Sequence, residues 1–279
     1  MNKTKGLIFT ASLVLAITFT ISCEDKEAKG KPATVADTAS TAETATPATP
    51  PETAEKTVLD KRETFTDSRD GKTYKKVTIG KQTWMAENLN YEAKGSKCYG
   101  EGGEVIIGWE EENPIPITET LSSAELQANC AKYGRLYDWE AVMKACPSGW
   151  HLPSENEWIE LMNFLVSSKE DVRYQEYENT GQEYYLNAGK YLKSKSGWMS
   201  DDDGKFGNGT DEFGFSALPG GGGELDGSFR DVGNSGGWWS ATEISASRAY
   251  GRCMSYNYAE VHRYYYDKSN LVSVRCVQD

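Results

Sequence analysis

The feature that most constrains this chain is a break in composition near Thr64. Residues 28–56 are built almost wholly from Ala, Thr, Pro, Glu and Lys and hold no aromatic residue, while all 8 Trp and 16 Tyr lie beyond the break. The first stretch buries too little apolar surface to offset the entropy of ordering its backbone. It reads as a disordered tether whose mean span is on the order of 30–35 Å. The roughly 215 residues that follow suffice for one sizeable core. The division expected is 1–22 signal peptide, 23–56 tether and 57–279 folded domain.

The N-terminus reads as an export signal. Lys3 and Lys5 precede 17 uncharged residues, fewer than the roughly 20 that span a bilayer. Cys23 then stands at the edge of an abrupt polar turn, Glu24-Asp25-Lys26-Glu27. This arrangement resembles a bacterial lipobox, with Thr20 where Leu is usual, and implies lipidation of Cys23. The acidic run resembles the surface-export signals of Bacteroidetes-like lipoproteins. The expected address is the outer membrane, lipid-anchored and surface-exposed.

The net charge of −12 becomes more negative once the leader, with its two lysines, is removed. Nucleic acid is thereby excluded as a partner, since phosphate affinity comes from clustered Lys and Arg. Two histidines leave no room for a multi-histidine metal centre, and no cofactor is expected. Asp70-Gly71 signals a hairpin, with Tyr74, Val77 and Ile79 on its far strand, and residues 81–90 extend the sheet. Ser122 with Glu125 and Ser154 with Glu157 form two capping boxes, and Asp138 caps a helix between them. Behind Ser154, Trp158, Leu161, Met162 and Leu165 form a buried stripe. Trp139, Val142 and Met143 share a face of the middle helix, and a fourth helix is expected over 184–195. Residues 198–213 are loop, and 272–277 a last strand with Val272, Val274 and Cys276 on one face. Strands early and late around helices indicate α+β.

Several segments carry a resemblance. Tyr133-Gly134-Arg135-Leu136-Tyr137-Asp138-Trp139 is followed by Ala145-Cys146-Pro147-Ser148-Gly149-Trp150-His151-Leu152-Pro153-Ser154 and Glu157-Trp158. Later come residues 211–221 (DEFGFSALPGG), 237–243 (GWWSATE) and Ser273-Val274-Arg275-Cys276-Val277. Together they resemble the Fibrobacter succinogenes major paralogous domain family over 65–279. The resemblance implies an exported, often lipid-anchored protein in contact with plant-fibre carbohydrate. The segment from Gly149 to Trp158 is also similar to one in C-type-lectin-like and formylglycine-generating-enzyme-like folds. It implies a single C-type-lectin-like domain of short mixed strands, flanking helices and long Gly-rich loops. The insert over 100–121, with Trp109 and three consecutive glutamates, departs from the family pattern and is a candidate for private specificity.

With Cys23 assigned to lipid, five cysteines remain for an oxidising compartment. The resemblance supports Cys98–Cys130 and, on the lectin-like pattern, Cys146–Cys276, with Cys253–Cys276 as the rival. Cys253 reads as a buried inert thiol, because nothing places a base such as His262 beside it. No catalytic residue is expected. Asp201, Asp202, Asp203, Asn208 and Asp211 fail the EF-hand spacing and read as a solvated turn, so no metal site is assigned. Residues 220–223 read as a close-packed glycine turn, and His151 as a hydrogen-bonded core residue. Six tryptophans, at 84, 139, 150, 158, 238 and 239, belong to the core. Trp109, Trp198, Tyr264 and Tyr266 are the candidate rings for stacking on sugars. The function expected is a non-enzymatic module contacting plant cell-wall polysaccharide. The alternative is a structural or protein-interaction module of the envelope, binding an envelope protein, with an enzyme third.

Overall fold

The computed structural model describes residues 63–109, 115–177, 182–200, 204 and 206–279. The expected signal peptide, the tether, Cys23 and the acidic residues Asp201–Asp203 lie outside the described residues, as does the side chain of Trp109.

The chain opens with β1 (Glu63–Thr66), β2 (Thr73–Ile79) and β3 (Gln82–Met85), then β4 (Ser96–Lys97), β5 (Val105–Trp109) and β6 (Pro116–Glu119). Helix α1 (Ser123–Tyr133), β7 (Leu136–Tyr137), α2 (Trp139–Val142), β8 (Trp150–His151) and α3 (Glu155–Ser168) follow. Next come β9 (Arg173–Glu176), β10 (Glu183–Leu186), α4 (Ala188–Leu192), β11 (Gly220–Gly223) and β12 (Phe229–Val232). The chain ends with β13 (Ser235–Glu243), β14 (Arg248–Ser255), β15 (Val261–Asp267), β16 (Val272–Ser273) and β17 (Val277–Gln278). The architecture is α+β. A five-stranded sheet runs β1-β2-β3-β17-β8, and a larger one runs β6-β5-β12-β11-β13-β14-β15-β10-β9 with three short strands attached.

Local chemistry explains the helix starts. Ser122 accepts from the Glu125 amide while the Glu125 carboxylate accepts from the Ser122 amide, and Ser154 and Glu157 do the same. Asp138 Oδ1 takes the Ala141 amide at 2.7 Å. The hairpin turn stands where Asp70-Gly71 placed it, with Gly71 at φ 75°. The stripe of α3 is buried, and Trp158 packs against Trp84 with ring centroids 4.7 Å apart. It covers one face of β13–β15 through Trp238, Met254 and Val261, while Trp239, Tyr266, Tyr137 and Val142 fill the other face.

Four expectations are corrected. Residues 184–195 do not make one helix: Asn187, at φ 60°, separates β10 from the short α4, and Tyr184 and Tyr185 pair with β15. Met143 is exposed because α2 is a single turn, too short to carry a buried face that far. The last strand is interrupted between β16 and β17 by Arg275, fully buried, although Val272, Val274 and Cys276 are all inward. The four glycines at 220–223 form a buried strand rather than a turn, because neighbouring elements come too close for side chains. A Cβ on Gly221 would lie 2.4 Å from the Arg230 carbonyl.

Candidate functional site

A β-strand alternates its side chains between two faces, so neighbours in a run of tyrosines have opposite fates. In β15, Val261, Arg263 and Tyr265 share one face, and His262, Tyr264 and Tyr266 share the other. Register places Tyr265 opposite Tyr250, Arg263 opposite Arg252, and Val261 opposite Tyr185, which in turn opposes Tyr174 on the edge strand β9. Tyr265 is 43 % exposed and Tyr174 48 %. Both rings therefore stand on one sheet face, two strands and four residues apart, or about 17 Å from strand spacing and rise.

Charged groups occupy the ground between them. Arg263 lies 4.3 Å over the Tyr250 ring, ion-pairs with Glu183, and reaches Glu155 Oε1 at 3.2 Å. Glu155, the first residue of α3, is clamped by Arg252 at 2.7 and 2.9 Å. Arg252 is fully buried, so this carboxylate compensates a guanidinium that water does not reach. At the near end, Arg248 lies 5.2 Å over Tyr265 and pairs with Asp267 at 3.1 Å. The result is a strip beside the α3 cover, exposed at Tyr265 and Tyr174, with Arg263 and Glu183 about a quarter exposed between them. Rings stack on flat apolar surfaces, and the charged groups donate and accept hydrogen bonds.

The expected stacking set is not brought together. Trp198 is 5 % exposed and donates its indole N–H to the Ala217 carbonyl at 2.9 Å within the α3 core. Tyr266 is 2 % exposed because its phase in β15 points it at Trp239. Neither presents a face to a ligand. Tyr264 is half-buried against that same core, stacked 5.7 Å from Tyr265. Tyr265, Tyr250 and Tyr174 were missed; the alternation of β15 carried the signal, had the buried phase been known.

The cysteines pair as expected for Cys98–Cys130 and Cys146–Cys276. Cys253 is buried and is disulfide-bonded rather than a free thiol. His262 does lie directly opposite it in register, yet burial pulls that imidazole down to about 4, and neither ring nitrogen has a hydrogen-bond partner among the described residues. His262 sits instead in a ring cluster, 5.7 Å from Tyr184. A nucleophile–base pair is therefore absent at this point of the sheet.

His151 is hydrogen-bonded, but at the surface rather than in the core. Its two ring nitrogens meet Glu157 Oε1 at 2.6 Å and Asp279 Oδ1 at 2.7 Å, with the side chain 41 % exposed. Burial alone would lower its pKa; the two carboxylates outweigh it and raise the pKa above the ordinary imidazole value. Arg275 was also missed as a hub. It donates to Asn88 Oδ1 at 2.8 Å and to the Phe215 carbonyl, and Trp238 donates to the same Asn88 oxygen at 2.9 Å. Among the described residues no cluster of three or more His, Cys, Asp or Glu is placed to hold a metal ion.

No curated protein and no solved structure matches the chain. The sequence model of the Fibrobacter succinogenes major domain matches residues 77–278, which takes in β13–β15, the buried Arg275 hub and both disulfides. On that match, the chain belongs to the Fibrobacter succinogenes major domain family.

Proposed function

We propose that the protein is a non-enzymatic extracytoplasmic module that holds a polysaccharide chain, of the plant cell-wall type, along the β9–β15 face. The observation that carries this reading is the exposure of Tyr265 and Tyr174 on one face, with Arg263 and Glu183 between them. Sugars offer flat apolar faces to rings and hydroxyls to charged groups. A strip about 17 Å long favours a chain of several sugar rings over a single one. Attachment through a lipid on Cys23 to the outer surface of the outer membrane, with residues 23–56 as a tether, belongs to the same proposal. So does kinship with C-type-lectin-like folds, which the Cys146–Cys276 bridge from behind α2 to the edge of β17 supports.

Depletion on cellulose and xylan tests the reading, with Tyr265→Ala and Tyr174→Ala against the parent chain. Each substitution should cost on the order of 1–3 kcal/mol, by loose analogy with aromatic stacking on bases, or roughly one to two decades of affinity. Retention unchanged in the double variant would refute it. The second reading, a protein-interaction module of the envelope, draws on Ile107, Ile115 and Ile117, exposed on and beside the β5–β6 hairpin. Loss of an envelope partner on Ile117→Asp, with polysaccharide not retained by any variant, would favour it.

A further inference from the structure

A cavity of about 330 Å³, lined by none of the strip's residues, opens between the end of α1, the start of β2 and the segment after β3. We infer that it is a second ligand site, and that it takes one terminal unit of a neutral carbohydrate. Its size lies at the small end of ligand pockets.

The walls decide the class. Leu218 supplies an aliphatic surface, while Tyr74, its ring buried against Phe65, offers no open face and its hydroxyl accepts from the Asn90 amide at 3.1 Å. The C-terminal end of α1 forms a second wall. There the Gly134 amide is bonded to the Cys130 carbonyl, and the Tyr133 carbonyl accepts from Asn88. The Ala131 and Lys132 carbonyls have no backbone donor among the described residues, and Arg135, the donor a longer helix would offer to Ala131, bonds Leu89 instead. Such a wall offers acceptors and the negative end of a helix dipole. It disfavours phosphate, and so does the nearby Glu87 carboxylate. Lys72 does not reverse this, because Asp70 pairs with it at 3.3 Å and the Asn90 carbonyl takes another of its protons. Lys132 lies 4.6 Å over the Tyr133 ring at the rim. Donors and acceptors of nearly balanced charge, set around one aliphatic side chain, suit the hydroxyl groups of a compact neutral body.

Gly134 makes this geometry possible. Its φ is 77°, and a Cβ there would lie 2.8 Å from the Leu89 carbonyl, so only glycine lets α1 end against the segment after β3. The site deepens the carbohydrate reading but does not use the strip: a single sugar ring cannot span 17 Å.

The test is saturation-transfer NMR on the full chain with four methyl pyranosides (gluco, galacto, manno and xylo). A signal from at least one is expected, reduced at least tenfold by Ala131→Trp, whose site is exposed on α1 so that the fold tolerates it. Leu218→Trp, which fills the cavity from within, should do the same. Tyr265→Ala assigns to the strip any signal it removes, and Val166→Ala, exposed on α3 and no part of the cavity wall, should leave the signal unchanged. The inference is overturned by no signal from any of the four, by a signal that survives Ala131→Trp, by loss in Tyr265→Ala alone, or by competition from inorganic phosphate.

Discussion

Replacing Glu155 with Ala removes the carboxylate that holds Arg252 and Arg263 together. Arg252 is fully buried beneath α3 and Arg263 is partly exposed, so the first cannot regain hydration without opening the helix–sheet contact. Stranding a buried guanidinium costs about 3–5 kcal/mol. For a domain of this size each kcal/mol moves the melting temperature by about 2–4 °C, so Glu155→Ala should melt roughly 6–20 °C lower. The same physics makes a second expectation. In Glu155→Leu/Arg252→Met both charges are gone and the volume is refilled, so the double variant should be more stable than Glu155→Ala. Urea unfolding of the oxidised chains, with melting curves alongside, reads both. Glu155→Ala within about 1 kcal/mol of the parent, or a double variant weaker than the single one, would refute the argument that this carboxylate compensates a charge removed from water. Because Arg263 also lies over Tyr250, Glu155→Ala should weaken polysaccharide retention even below its melting temperature.

The two bridges should differ in worth. By loop entropy, removing Cys146–Cys276, 130 residues apart, should cost about 5 kcal/mol and removing Cys98–Cys130, 32 apart, about 4; the reverse order in urea unfolding of paired Cys→Ser variants would contradict that account. The lipid proposed on Cys23 requires that cysteine to stand outside any bridge. Mass spectrometry of the non-reduced N-terminal peptide decides, a Cys23–Cys253 peptide ruling out the lipid. His151, with its raised pKa, stabilises the fold fully below about pH 6.5 and loses that contribution as pH rises through its folded pKa. Glu157, held low overall as hydrogen bonds from Ser154 and His151 outweigh its burial, contributes above about pH 4.5 and loses it as pH falls. The melting-temperature gap between the parent and His151→Gln should therefore be widest between these values and narrow as pH rises through the folded pKa of His151; a flat gap would show the clamp to be inert. Chelation should leave polysaccharide retention unchanged; its loss, with Tyr265→Ala still binding, would move the site to the acidic residues 201–211.

Features that neighbouring residues settle among themselves were legible from the chain alone. The capping boxes at Ser122 and Ser154, the Asp138 cap, the turn at Gly71 and the stripe of α3 depend on spacings of three or four residues, and each formed where its residues stand. The family motifs likewise brought Cys98 to Cys130 and Cys146 to Cys276. Tertiary structure decided the rest, because strand phase and close packing are set by partners far away in the chain. Tyr264, Tyr265 and Tyr266 have the same side chain and nearly the same neighbours in sequence. Only the register of β15 against β14 and β10 sends Tyr266 into the core and leaves Tyr265 in water. Trp198 sits among polar and glycine residues yet is buried, because Ala217 and Lys193 close over it from elsewhere in the chain. Residues 220–223 have no side chains to declare a strand; Leu271 and Arg230 make them one by approaching to distances that only glycine permits.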